Sequence, residues 1–172
     1  MKYYILFGSN EGDRLEILKS VFVDLKSTYG EMTFSSLYES EPWGFESQNN
    51  FLNIIFAFDS TNTPHKVLSY LHHLELKYGR TRDNKLTGYQ SRTIDLDILL
   101  CDSSIVNTET LQIPHPRLHL RRFTLEPLNE LDSEYLHPVL KLKVSNLLNS
   151  CDDKSSVKVL MDLNQLKKYL LL

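Results

Sequence analysis

The chain has 172 residues, 41% of them hydrophobic and 24% charged, enough for one buried core of ordinary size and too apolar for a disordered segment. With 19 Lys and Arg against 22 Asp and Glu the formal charge is −3, so no global positive field draws the molecule to nucleic acid or anionic lipid, and an anionic ligand has to be held by local cations. Cys101 and Cys151 belong to no Cys-x-x-Cys pair, which argues against a disulfide framework or thiolate metal site and fits a reducing, cytoplasmic setting.

Residues 2–7 form an apolar run that stops at Gly8-Ser9-Asn10. They are expected as a buried strand ending in a turn with exposed backbone amides. The run is too short for a signal-peptide core or a membrane span, so the domain is expected to open directly at Met1. Asp13 is the predicted N-cap of an amphipathic helix that carries Leu15, Leu18, Phe22 and Leu25 on one face and ends near Gly30. Residues 33–39 read as a strand, followed by a polar loop with Pro42, Trp43 and Gly44 that is too long for a tight hairpin, and loops of that size often carry function. Residues 51–58 are a second apolar strand. Thr63-Pro64 marks the start of a helix whose apolar face holds Val67, Leu71, Leu74 and Tyr78. Its C-cap is expected at Gly79, which leaves Glu75 on a different side. Residues 79–91 show no apolar periodicity but contain Arg80, Arg82, Lys85 and Gly88, and are expected as a mobile cationic loop.

Residues 93–101 are the clearest strand, with a short hairpin partner expected around 104–106. Pro114-His115-Pro116 marks an irregular segment, after which residues 117–128 read either as a short helix or as an extended passage. The tail over 150–172 is the least regular part, with a small terminal helix expected over 160–172. The order strand, helix, strand, strand, helix, strand predicts an α+β, ferredoxin-like unit, an antiparallel sheet with helices packed on it, in a single domain spanning residues 1–172.

Asp95 and Asp97 are two residues apart on a strand, so both carboxylates emerge on one face about 7 Å apart. Hard oxygens in that arrangement suit one or two Mg²⁺, a cation that completes its shell with water and substrate phosphates. Taken alone, the pair reads more readily as a half-exposed strand with acidic outer residues. Arg80, Arg82 and Arg92 before it and Arg121 after it change the weighing, because guanidinium groups recognise phosphate directly whereas carboxylates need a metal bridge. A nucleoside triphosphate with Mg²⁺ meets both demands. Arg14, Arg117 and Arg122 read as solvated surface charges, and His72 and His73 as helix-surface histidines. His115 between two prolines reads equally as a phosphate donor or as a turn residue. Periodicity alone makes Phe51 and Phe123 core aromatics, yet Asn53 shares the strand face of Phe51, and an amide beside an aromatic is what a flat heteroaromatic ligand needs. No Walker-type or kinase glycine-rich loop and no nucleophile elbow occurs.

Taken together, these residues resemble the hydroxymethyl-dihydropterin pyrophosphokinases of folate biosynthesis. The resemblance spans roughly residues 4–128. It rests on Gly8-Ser9-Asn10 with Gly12-Asp13-Arg14, on Glu41-Pro42-Trp43-Gly44, on Phe51-Leu52-Asn53, and on Glu75 with Gly79-Arg80. The most specific pieces are the run from Ser91-Arg92-Thr93 through Asp95-Leu96-Asp97 and the segment Ile113-Pro114-His115-Pro116-Arg117 followed by Arg121 and Phe123.

The resemblance implies transfer of the pyrophosphoryl group of ATP to the hydroxymethyl oxygen of 6-hydroxymethyl-7,8-dihydropterin, with release of AMP, by a cytoplasmic monomer that uses two Mg²⁺. It implies that Asp95 and Asp97 are the metal ligands and that Arg80, Arg82 and Arg92 join them in catalysis. ATP contacts are implied for Glu75, Arg80, Arg82, Arg92, Ile98, His115 and Arg121. Pterin contacts are implied for Ser40, Pro42, Trp43, Phe51, Asn53, Asp95 and Phe123, with the two phenylalanines stacking on its faces. The 79–91 loop is implied to close as a lid. Tyr89-Gln90-Ser91 stands where many members carry Trp-Gly-Pro, and His72 where some place Gln. The length argues against fusion to a neighbouring folate enzyme.

The strand order also occurs in RNA-recognition modules, whose sheet aromatics stack bases. The negative net charge, the missing aromatic-glycine run of those modules and two aspartates on the strand face oppose that reading, so neither nucleic acid nor membrane is an expected partner. A degenerate member that binds pterin without turnover is opposed by the presence of Arg92, Asp95, Asp97 and His115.

Overall fold

Every residue from Tyr3 to Ser9 is buried, so this strand lies inside a sheet and its two faces serve two different cores. In the computed structural model, which describes residues 1–80 and 90–171, it is β1 (Lys2–Ser9) and includes Gly8 and Ser9, two residues beyond the expected end. Tyr3, Ile5 and Phe7 point into the larger core, closed by α1 (Arg14–Tyr29) and α2 (Pro64–Lys77). Tyr4 and Leu6 point the opposite way, into a smaller core closed by α3 (Arg122–Asp132) and α4 (Val144–Asn149). Each wholly buried large apolar side chain contributes about 1.5–3 kcal/mol, and both cores depend on this one strand.

The remaining strands are β2 (Met32–Phe34), β3 (Leu37–Ser40), β4 (Phe51–Asp59), β5 (Asp95–Cys101) and β8 (Val157–Met161), with β6 (Val106–Asn107) and β7 (Gln112–Ile113) forming a separate pair. The main sheet runs β5-β1-β4-β3-β8, with β2 also on β4, and all its pairings are antiparallel. Apart from β8 this is the predicted ferredoxin-like order, with helices on the sheet as expected. Register sets Gly8 opposite both Asn53 and Asp95, and Leu6 opposite Asp97. One sheet face therefore carries Leu6, Gly8, Asn53, Asp95 and Asp97 together.

Helix α1 begins as read: the Asp13 carboxylate accepts from the Glu16 amide at 3.2 Å, and the chain leaves through Gly30 at φ +78°. Thr63 precedes Pro64 as predicted, although its hydroxyl makes no capping bond, and the α2 C-cap is Tyr78, one residue before Gly79. Glu75, expected away from the apolar face, is only 3% exposed and lies among the buried residues of α2.

Several elements differ from expectation. The strand over 33–39 breaks at Ser35-Ser36: the Ser35 hydroxyl donates to the Ser36 carbonyl and accepts from the Ile55 amide, while the Ser36 amide and hydroxyl donate to Glu130 of α3. Ser35 keeps one backbone bond, its amide donating to the Ile55 carbonyl at 3.0 Å, while the Ile55 amide and Ser36 turn to side-chain partners. The hairpin partner at 104–106 does not pair with β5. The chain turns at Asp102 (φ +43°), and β6 pairs forward with β7 instead. Residues 117–128 resolve into a short 3₁₀ turn (Leu118–Leu120) followed by α3. The tail is structured: β8 pairs with β3, and α5 (Leu163–Tyr169) opens with an Asp162–Gln165 capping box three residues later than expected. Leu166 and Leu170 of the tail are buried in the larger core. Among the described residues no helix is long and apolar enough to cross a membrane.

Candidate active site

Helices α3 and α4 cover the Tyr4, Ile55 and Ala57 end of the second sheet face, and the Gly8 end borders a cavity of about 190 Å³. Gly8 shapes the floor. A Cβ there would sit 3.8–3.9 Å from Asn53 Oδ1, Asp95 Cβ and Phe51 Cδ1, so a larger side chain would project among the groups that line the cavity. The loop after β3 supplies Glu41, Trp43 and Phe45; β4 supplies Phe51 and Asn53; β5 supplies Asp95 and Asp97. Arg80 comes from the end of α2, Arg92 from the approach to β5, and His115, Arg117, Arg121 and Phe123 from the segment leading into α3. Four arginines thus face three carboxylates.

Aromatic groups gather at one side. Phe45 meets Phe51 edge to face with centroids 6.0 Å apart. The Arg121 guanidinium lies 4.8 Å from the Trp43 ring centroid and 5.5 Å from that of Phe123, a flat cation between two ring systems. Asn53 donates to the Ser40 hydroxyl at 2.9 Å, which holds its amide in one orientation. Asn10 ties the walls together: its amide side chain donates to Ser91 at 2.9 Å and Ser47 at 3.3 Å, and its Oδ1 accepts from the Arg92 backbone amide at 2.8 Å.

The charged side is paired. Asp95 accepts from Arg80 and from Arg92, one on each oxygen. Arg80 also pairs with buried Glu75, whose Oε1 accepts from the Leu96 amide at 2.9 Å. Burial by itself depresses the Arg80 guanidinium, but the charges of Asp95 and Glu75 more than offset it and raise its pKa. Arg121 is depressed by burial, against the pull of Asp97. Asp97 is pushed well above the usual carboxylate range, by burial first and by Asp95 next, with Arg121 opposing. His115 is pushed down to about 4 by burial and then by Arg121, so it is neutral at pH 7. Its Nδ1 accepts from the Arg117 amide at 3.2 Å, which assigns the proton to Nε2, 4.0 Å from Asp97.

Asp95 and Asp97 present hard oxygen donors on one face, the chemistry Mg²⁺ takes, and among the described residues no group of three or more Asp, Glu, His or Cys gathers as a metal cage. Two carboxylates fit a cation that completes its shell on a substrate.

Of the expected site residues, the cavity brings together Ser40, Trp43, Phe51, Asn53, Arg80, Arg92, Asp95, Asp97, His115, Arg121 and Phe123. Pro42 does not line it. Glu75 sits behind Arg80, and Ile98 faces the larger core, because its strand parity is opposite to that of Asp95 and Asp97. Arg82, Lys85, Gly88, Tyr89 and most of the expected lid lie outside the described residues. The sequence reading missed Phe45 and Arg117 as lining groups. Arg117, read as a surface charge, is carried to the rim by the same turn that presents His115, and Phe45 had a signal only in its nearness to Trp43-Gly44.

A family model described as 7,8-dihydro-6-hydroxymethylpterin-pyrophosphokinase (HPPK) matches residues 4–133. The chain is 34% identical over 138 residues to the 2-amino-4-hydroxy-6-hydroxymethyldihydropteridine pyrophosphokinase of Aquifex aeolicus, covering 80% of this chain and 84% of that protein. It is 38% identical over 139 residues to the protein of the same name from Porphyromonas gingivalis, covering 78% and 92%. Its fold is similar to a crystal structure of HPPK-DHPS in complex with substrates, with a TM-score of 0.66 at 15% identity over 87% of this chain. The wild-type HPPK-DHPS of Plasmodium falciparum also gives 0.66, at 16% identity over 86% of this chain. The chain spans only 43% and 44% of those two solved chains.

Proposed function

The chain belongs to the 7,8-dihydro-6-hydroxymethylpterin-pyrophosphokinase family, and we infer from that membership that it transfers the pyrophosphoryl group of ATP to 6-hydroxymethyl-7,8-dihydropterin, releasing AMP, in folate biosynthesis. The observation that carries this reading to particular residues is one cavity with an aromatic-and-amide side and a side of arginines and paired aspartates. Its volume of about 190 Å³ is below the ~300 Å³ at the lower end of drug-sized sites, which suits one flat ring system. Phe51 and Phe123 are assigned to stack on the pterin, Asn53 and Ser40 to bond its edge, and Trp43 with the Pro42 loop to close over it. Arg80, Arg92 and Arg121 are assigned to ATP phosphates, with Arg82 added on the strength of the family motif, and Glu75 is assigned to hold Arg80.

The hydroxymethyl oxygen attacks the β-phosphorus: the new bond forms to that phosphorus, the bridge to the α-phosphate breaks, AMP leaves with the electron pair, and the hydroxyl proton passes to solvent. Such a transfer needs in-line positioning and charge neutralisation rather than a covalent intermediate. Two Mg²⁺, when bound at Asp95 and Asp97, neutralise phosphate charge and acidify the attacking hydroxyl. Asp97 serves as a ligand rather than as the base. His115, neutral with its proton on Nε2, contributes a hydrogen bond to a phosphate oxygen and no charge. Both cysteines are buried and free, in keeping with the cytoplasm. Residues 1–172 are read as one pyrophosphokinase domain whose tail completes the sheet and core.

The test is product analysis with ATP, Mg²⁺ and the reduced hydroxymethyl pterin. AMP formed only when all three are present is the expected result, and ADP, or no turnover, would overturn the reading.

A further inference from the structure

Both oxygens of Asp95, one of the two carboxylates assigned to the metal, are already bonded by arginines assigned to the nucleotide. Arg80 donates to Asp95 Oδ1 and Arg92 to Oδ2, each at 2.5 Å. These are not loose surface pairs: the side chains of Arg80, Arg92 and Asp95 are 17%, 19% and 21% exposed. Arg80 is gripped from behind by Glu75, which is anchored in turn on the Leu96 amide between the two aspartates. Along the line Glu75, Arg80, Asp95, Arg92 the charges alternate and sum to zero.

A divalent cation arriving alone at Asp95 competes with the two guanidinium charges already bonded there. It would leave them partly buried with poorer partners, a costly exchange, and Mg²⁺ gives up its own water reluctantly. A polyphosphate reverses the balance. It offers the arginines planar, multiply charged acceptors and brings further oxygens to the cation.

Resting on the function proposed above, we propose that Arg80 and Arg92 form a latch on Asp95 that a divalent cation alone does not open, and that the phosphates of the nucleotide open by taking over the arginines. Glu75 keeps Arg80 at the site while it changes partners. Metal and nucleotide then bind as a coupled pair, and each raises the affinity for the other by the same factor.

The experiment is Mn²⁺ binding to the full chain, read by water-proton relaxation enhancement, with and without α,β-methylene-ATP. Wild type is expected to show a saturable Mn²⁺ site with the analogue and one weaker by at least about tenfold without it. Arg92→Ala frees one Asp95 oxygen. The double variant Arg80→Ala/Glu75→Gln frees the other while removing the carboxylate charge that Arg80 balances. Each is expected to bind Mn²⁺ without nucleotide about tenfold more tightly than wild type, and Asp95→Asn added to either should abolish the gain. Wild type binding Mn²⁺ alone as tightly as with the analogue would overturn the latch and leave the functional reading standing, and so would folded variants that show no gain. Failure of wild type to bind the analogue with Mn²⁺ would overturn the functional reading itself, and the latch with it.

Discussion

Glu75 offers the sharpest separation between touching the nucleotide and holding the residue that does. Its carboxylate is 3% exposed, pairs with Arg80 and accepts the buried Leu96 amide at 2.9 Å. Glu75→Ala leaves that amide without its carboxylate partner, at about 1–3 kcal/mol. It also breaks one side of a mostly buried ion pair, a loss of about 3–5 kcal/mol when nothing else remains. Arg80 keeps Asp95, so only a fraction of that ion-pair loss applies, and a total near 3 kcal/mol is expected. Glu75→Gln retains an oxygen for Leu96 and loses only the charge, for about half that amount. At a typical slope near 2 kcal/mol per molar urea, Glu75→Ala should lower the unfolding midpoint by about 1.5 M. In turnover, Glu75→Ala and Arg80→Ala should behave as one lesion, with a coupling of at least about 1 kcal/mol in a double-mutant cycle on kcat/KM for ATP. Additive effects would refute the argument and put Glu75 in direct contact with the nucleotide. So would an unfolding midpoint within about 0.3 M of wild type.

Gly8→Val should abolish pterin binding in a fluorescence titration while the thermal midpoint moves only a few degrees, because its Cβ meets Asn53, Asp95 and Phe51 at ordinary distances and its branches enter the cavity; pterin affinity within about threefold of wild type would contradict that geometry. Asp97→Asn should cut turnover by about 100-fold or more while leaving stability equal to wild type or higher, since it removes a carboxylate whose charge burial and Asp95 disfavour; wild-type rates would remove it from the metal site. Stability should also fall in mild acid. His137 is 4% exposed, its Nδ1 accepts from the Val139 and Leu140 amides, and burial followed by His119 lowers its pKa. The unfolded chain takes up that proton first, so the contribution is intact above about pH 6.5 and is lost as pH falls from there toward the depressed folded value, by up to about 1.4 kcal/mol per pH unit. Urea midpoints at pH 7.5 and 5.5 should converge more for His137→Asn than for wild type, and an equal drop in both would exclude His137 as a source.

Much of the site could be read from residue types and local spacing. Asp95 and Asp97 share a face because strand parity requires it, and the same rule predicts the alignment of Asn53 with Phe51. The βαββαβ order followed from local signals as well: Asp13 as a cap, Thr63-Pro64 as a start, and two largely apolar strands over 2–7 and 51–58. Where local signals competed, the reading was incomplete. Local signals over residues 117–128 fit a short helix or an extended passage alike, and packing of Leu125 and Leu128 on the sheet selects α3. The short Val-Lys-Val alternation of β8 acquires meaning only beside β3.

Tertiary structure decided what no local rule contains. The apolar set Val67, Leu71, Leu74 and Tyr78 reads as leaving Glu75 on a different side of its helix, whereas the arrival of Arg80 and the Leu96 amide makes its burial tolerable. Arg117 and Phe45 become cavity walls through loop paths set by contacts distant in sequence. Residue chemistry and periodicity determined which groups are available and which face of an element they share. Register between β1, β4 and β5, and the limited reach of α3 across the sheet, determined which of those groups meet, because pairing across long sequence separations is chosen by packing the whole core at once.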